Sequence, residues 1–202
     1  MFLTPYGGVN RIGGNIFLIE DSNSKVFLDF GLDFEKYRLY FDFPMNLPQT
    51  TSELIITGIL PKICSCNGKQ FFQYCEVEKR GEKGGKGWNI IEAPPDEDFS
   101  VIISHAHLDH ICKQESRDVE AICSEETFLL STLRGFGIKR ADSPFLLLDS
   151  GHILGSKSIV LEASCEKILY TGDVNNSPLA DIPRQRFPKT HTLIIESNYG
   201  CP

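Results

Sequence analysis

The chain reads as an α/β layered sandwich: two β-sheets with helices packed on their outer faces. Three observations predict it. Many short apolar segments bounded by turn residues alternate with only a few helical stretches. The 202 residues, 41% of them hydrophobic, suit one domain with a sizeable core and are too few for two comfortable ones. Several of the apolar segments also run straight into histidine or acidic residues, as strands do when they deliver side chains to a site.

Taken in order, Leu3-Thr4-Pro5-Tyr6 leads into a glycine-rich loop from Gly7 to Asn15. The strand Ile16–Glu20 follows, and Asp21-Ser22-Asn23-Ser24 supplies turn chemistry for a hairpin to a second strand, Lys25–Phe30. The glycine-rich stretch lacks a P-loop lysine and precedes a strand, so its glycines are expected to permit close backbone approach near a site. Residues 33–60 are aromatic-rich and read as irregular, with one helix around Ser52 to Ile56. Residues 76–99 are mostly polar and offer nothing for a core; they read as a surface loop, whose lysines and arginines are an alternative contact for a polyanion.

Beyond Pro94-Pro95 the pattern tightens. Val101-Ile102-Ile103 is a short apolar strand that ends on a histidine cluster, and Ala121-Ile122-Cys123 is another. Ser124 then caps a helix running to Arg134-Gly135. Phe145–Leu148, Ser158–Leu161, Lys167–Tyr170 and Thr192–Ile195 read as four more strands. No repeat period is visible.

Bulk properties narrow the function classes. The net charge of −7 disfavours a bare phosphate-binding surface, so any nucleic-acid role has to rest on a localised site. No apolar run reaches the roughly 18–20 residues of a membrane span, and the first residues lack a basic, cleavable leader, so a cytoplasmic, non-membrane protein is expected. Seven cysteines without a regular spacing make a poor disulfide framework and fit free thiols. Cys64-Ser65-Cys66 with Cys75 departs from zinc-knuckle spacing, and Cys112 and Cys123 read as small buried hydrophobes.

The chemistry concentrates in Ser104-His105-Ala106-His107-Leu108-Asp109-His110. Residues two apart on an extended segment point the same way, so His105 and His107 can reach one cation. Asp109 and His110 come where the chain is expected to turn into a helix, and can face a second cation. Imidazoles with carboxylates suit zinc, with manganese or iron as alternatives. His152 in Asp149-Ser150-Gly151-His152 and Asp173 in Thr171-Gly172-Asp173 each follow an apolar strand and complete a binuclear set.

The run His-x-His-x-Asp-His, then Gly-His-x-Leu-Gly-Ser, then Thr-Gly-Asp resembles the metallo-β-lactamase superfamily. Glu196-Ser197-Asn198-Tyr199-Gly200 resembles the signature of its β-CASP branch of RNA-processing nucleases, to which RNase J and the cleavage-and-polyadenylation endonuclease belong, although Asn198 stands where a threonine is usual. Leu28-Asp29-Phe30-Gly31 resembles the family's first motif, whose aspartate supports the site from behind the metal ligands. The resemblance implies an αββα sandwich over residues 1–202, holding two Zn²⁺ or alternatively Mn²⁺ ions. His105, His107 and His152 would bind one ion and Asp109 and His110 the other, with Asp173 between them. Asp109, Asp173 and Glu196 would take part in catalysis. A metal-bridged hydroxide would then cleave a phosphodiester, of RNA first and DNA as the alternative.

The branch continues into a capping domain with further histidines, which a later region or a second polypeptide would supply here. His191, at the start of the last strand, reads as a surface residue. Two rival functions remain open: hydrolysis of a small ester or thioester, and a non-catalytic subunit of a nuclease assembly.

Overall fold

The computed structural model describes residues 1–22, 24–41, 51–61, 99–112, 120–136, 138–163, 166–175 and 186–196. Strands β1 (Phe2–Gly7), β2 (Ile16–Glu20), β3 (Lys25–Leu28), β4 (Ser100–Ile102), β5 (Glu120–Ile122) and β6 (Lys139–Ala141) form a six-stranded sheet in that order. Its first three strands are antiparallel neighbours, and β3 to β6 run parallel. The second sheet contains β7 (Leu146–Asp149), β8 (Lys157–Ala163), β9 (Glu166–Tyr170) and β10 (Thr192–Ile194), ordered β10-β9-β8-β7. β10 is parallel to β9, while β9, β8 and β7 alternate in direction.

The pleat explains why the hairpin strands are apolar throughout. Side chains alternate between faces, so Phe17 and Ile19 of β2 face the second sheet while Ile16 and Leu18 face away from it. Phe17, Ile19, Val26, Leu28, Ile102 and Ile122 meet Ile159, Leu161, Ile168 and Tyr170 in the core between the sheets. Ile16, Leu18, Phe27, Val101, Ile103 and Ala121 instead pack under the helices. Each fully buried Ile or Leu contributes about 1.5–3 kcal/mol to such cores. The helices α1 (Phe34–Phe41), α2 (Thr51–Ile56) and α3 (Glu125–Leu133) place Phe34, Tyr37 and Phe41, then Leu54 and Ile55, then Phe128 against that outer face. The result is a layered α/β sandwich, with the described helices on the outer face of the six-stranded sheet.

Several expectations need correction. Residues 34–41 form a helix within the stretch read as irregular, because its aromatic side chains pack on the sheet. β1 contains Pro5, which an edge strand tolerates, with a register shift between Pro5 and Gly7. β6 is a short, mostly exposed edge strand with no apolar run to announce it. From His107 to Cys112 the chain makes a turn and a bridge: His107 O accepts from both His110 N and Ile111 N, and Ile111 then pairs with Phe30, while residues 113–119 lie outside the described residues. Cys112 and Cys123 are buried free thiols as expected, and burial pushes them up to about 12 and about 11. The Cys64–Cys75 cluster, all of the 76–99 loop but Phe99, and residues 197–200 lie outside the described residues.

The strand directions position the site. β3 and β4 are parallel, so their ends deliver Asp29 and the Ser104–His110 loop to the same edge. In the second sheet β7, β9 and β10 share one direction, and their ends deliver His152, Asp173 and Glu196.

Candidate metal centre

Asp29 organises the site from below. It is fully buried and adopts a left-handed backbone, with φ of 57°. Its Oδ1 accepts from Ser104 N at 2.6 Å. Its Oδ2 accepts from Ser104 Oγ at 2.7 Å and Tyr170 OH at 2.6 Å, and faces His110 Nδ1 at 2.6 Å. A carboxylate only accepts, so His110 carries its proton on Nδ1 and turns Nε2 toward the cleft. Ser104 spends its hydroxyl hydrogen on Asp29, leaving its lone pairs to accept from His105 Nδ1 at 3.0 Å. The same carboxylate thereby fixes both rings, one directly and one through a serine, with Nε2 outward in each.

Backbone proximity sets the height of the loop. A Cβ on Gly31 would come within 1.7 Å of Asp109 O, so only glycine lets the segment after β3 run beneath the Asp109–His110 turn. Phe30 N donates to His110 O, and Leu32 N donates to Leu108 O, each at 2.8 Å.

Above this base the side chains form two groups. His107 Nδ1 lies 3.0 Å from His105 Nε2 and 3.1 Å from His152 Nε2. One ring nitrogen, with one hydrogen or one lone pair, cannot satisfy both neighbours properly. Three nitrogens around a tetrahedral ion with bonds near 2.0–2.1 Å would sit about 3.3 Å apart, close to what is found. Asp173 Oδ2 completes this group, 3.4 Å from His152 Nε2 and 3.9 Å from His105 Nε2. The other oxygen, Asp173 Oδ1, is 3.1 Å from His110 Nε2, which also faces Asp109 Oδ2 at 3.6 Å. His105, His107, His152 and Asp173 thus make one potential ligand set, and Asp109, His110 and Asp173 a second. Asp173 is common to both.

The electrostatics suit cations. Burial, reinforced by the neighbouring imidazoles, lowers the pKa of His105 and His107, so both rings are neutral and offer lone pairs. Burial would lower His110 too, but the Asp29 charge and the hydrogen bonds of Asp173 and Asp29 outweigh it and raise it to about 10. Asp29 at Nδ1 and Asp173 at Nε2 both favour the positive ring. Asp173 is opposed by burial, yet its bond to His110 and the surrounding rings keep it below its usual range. The donor set, its spacing and its charge all fit two divalent ions.

All of the site residues read from the motifs meet at this edge. Glu196 is one step removed: its Oε1 accepts from Val174 N at 2.8 Å, which ties it to the residue after Asp173. Burial, and then the Asp173 charge working against the Val174 bond, raise its pKa. His191 is exposed, with Nδ1 accepting from Lys167 N at 2.9 Å, as its position at the start of β10 implied. One residue escaped sequence reasoning. Asn15, at the end of the glycine-rich loop, places Nδ2 3.0 Å from His110 Nε2. Only the glycines expected to permit close approach hinted at it.

No family model matches the chain. An RNase J-like protein of Methanocaldococcus jannaschii is 32% identical over 139 residues, covering 51% of this chain and 32% of that protein. The transcription termination factor FttA of the same organism is 24% identical over 214 residues, covering 96% and 31% respectively. The chain thus spans about a third of the length of these curated relatives. A solved protein of unknown function from Enterococcus faecalis V583 shares the fold, with a TM-score of 0.60 at 19% identity over 85% of this chain and 43% of that one. The motifs resemble those of the metallo-β-lactamase superfamily's β-CASP branch, and the proteins similar to this chain include an RNase J-like protein and FttA.

Proposed function

We propose that this chain carries the two-ion centre of a metal-dependent phosphodiester hydrolase acting on RNA, with DNA as the alternative substrate. The observation that carries the reading is Asp173, whose two carboxylate oxygens face two separate ligand groups. His105, His107 and His152 would hold one ion and Asp109 with His110 the other, zinc being the first choice for this donor set and manganese the second. Divalent ions held there would supply Lewis acidity and lower the pKa of bound water.

The protein's own groups set the geometry. Asp173 fixes the spacing between the two ligand groups, and Asp29 and Ser104 hold the ligating rings in the needed tautomer. Asp109, at the open side of the turn, would orient the reacting groups. Glu196, through Val174 N, would hold the segment that presents Asp173. The name of the RNase J-like relative favours RNA as the substrate class.

Metal content and cleavage of a labelled RNA, measured on the same zinc- or manganese-loaded protein, test this. We expect two ions per chain, fewer in Asp173→Ala, and at least a hundredfold slower cleavage in His107→Ala or Asp173→Ala. RNA cleavage that persists undiminished in both variants would defeat the assignment.

A further inference from the structure

Asn15 joins the glycine-rich loop to β2, and its contacts cross 94 positions of sequence to the metal-binding turn. Its backbone N–H and its side-chain Nδ2 both donate to Asp109 O, at 3.0 and 3.2 Å, and its own carbonyl accepts from Gly31 N at 3.2 Å. The carboxamide has one sensible orientation. Nδ2 must face the Asp109 carbonyl, which can only accept, while a Cβ built on Gly8 would come within 2.5 Å of Oδ1 on the other side.

An amide nitrogen has two hydrogens, and Asp109 O takes one. The second is free for a partner on the side of His110, whose Nε2 lies 3.0 Å from Nδ2. Asp29 keeps the ring proton on Nδ1, so that Nε2 is the atom left for an ion. Once an ion occupies it, the lone pair is taken and the Asn15 hydrogen needs another acceptor beside that ion. Asn15 is half-buried at the mouth of the site, so an incoming group can reach it. Amide nitrogen is no ligand for a hard or borderline cation, which rules out Asn15 as one more metal ligand through this atom.

We propose that Asn15 Nδ2 donates a hydrogen bond to a phosphoryl oxygen bound on the Asp109–His110 side, making Asn15 a substrate-positioning residue. This rests on the two-ion hydrolase reading, and adds to it a neutral donor that favours a charged tetrahedral group over water. A neutral donor also suits a protein of net charge −7, in which local contacts rather than bulk field must hold an anion.

The test titrates the cobalt-loaded protein with inorganic phosphate, following the visible absorption of the cobalt, with ion content measured on the same samples. Asn15→Ala and Asn15→Asp are compared with the parent; the aspartate matches asparagine in size and carries the test should the alanine variant lose its fold. We expect both ions to be retained while phosphate binds about tenfold to a hundredfold more weakly, the range for losing a hydrogen bond to a charged group. Asn15→Asp should be the more severe of the two. Phosphate affinity equal to that of the parent would overturn the inference. So would a loss of phosphate binding that merely tracks a loss of the second ion, since Asn15 would then only brace the turn. A parent protein that takes up no ions would instead defeat the two-ion reading itself, and the inference with it.

Discussion

At the scale of single residues, Asp29 organises the site more than any of the candidate metal-binding residues does. It is buried without exposure to water and receives every hydrogen that Ser104 N, Ser104 Oγ, Tyr170 OH and His110 Nδ1 direct at it. Removing one partner of a buried charged set costs about 3–5 kcal/mol, because the others lose their acceptor. Asparagine tolerates a left-handed backbone as well as aspartate does, so Asp29→Asn isolates the charge. We expect a loss of about 3 kcal/mol in urea unfolding with chelator present, and metal affinity about 10–100-fold weaker in a competition titration. An unchanged unfolding midpoint would show that the carboxylate does not hold the rings. The histidines and Asp173 were legible in the sequence because their chemistry is rare in such a pattern. Asn15 was not: asparagine beside glycine is ordinary turn composition, and only folding brings it to His110.

Among the elements, α3 shows how local sequence serves the distant site. Ser124 Oγ accepts from Thr127 N at 3.1 Å, an N-cap, and donates to Gly155 O at 2.6 Å, in the loop that carries His152. Thr127 Oγ1 reaches the same carbonyl at 3.1 Å. Losing an N-cap hydroxyl costs about 1 kcal/mol. Ser124→Ala should therefore lower the melting temperature by a few degrees, and it should also speed amide exchange across Gly151–Ser156. A stability loss with unchanged exchange there would make the Gly155 contact incidental. Capping chemistry and continuous apolar runs made α3 and most strands readable beforehand. What escaped were elements whose stability comes from neighbours: α1 has no fully buried residue, β6 is exposed, and β1 exists because β2 offers it a free edge. Tertiary pairing outweighs weak propensity in all three.

Three carboxylates and four imidazoles crowd together at one edge of the molecule, acid beside acid and nitrogen against nitrogen. Asp29, Asp109 and Asp173 surround His110, while His105, His107 and His152 crowd nitrogen against nitrogen. Unfolding scatters both groups, so ions bind the folded state far better than the unfolded one, and binding is stability. At free metal a hundredfold above the dissociation constant, each independent site contributes about 2.7 kcal/mol. A melt in excess zinc, repeated after chelation, should then show a midpoint several degrees lower without metal, and the difference should shrink in Asp173→Ala, which damages both ligand sets at once. His152→Ala, which belongs to one set only, should lose less than Asp173→Ala. Equal losses in the two variants would mean that Asp173 serves a single ion, and the case for a shared carboxylate would go with it.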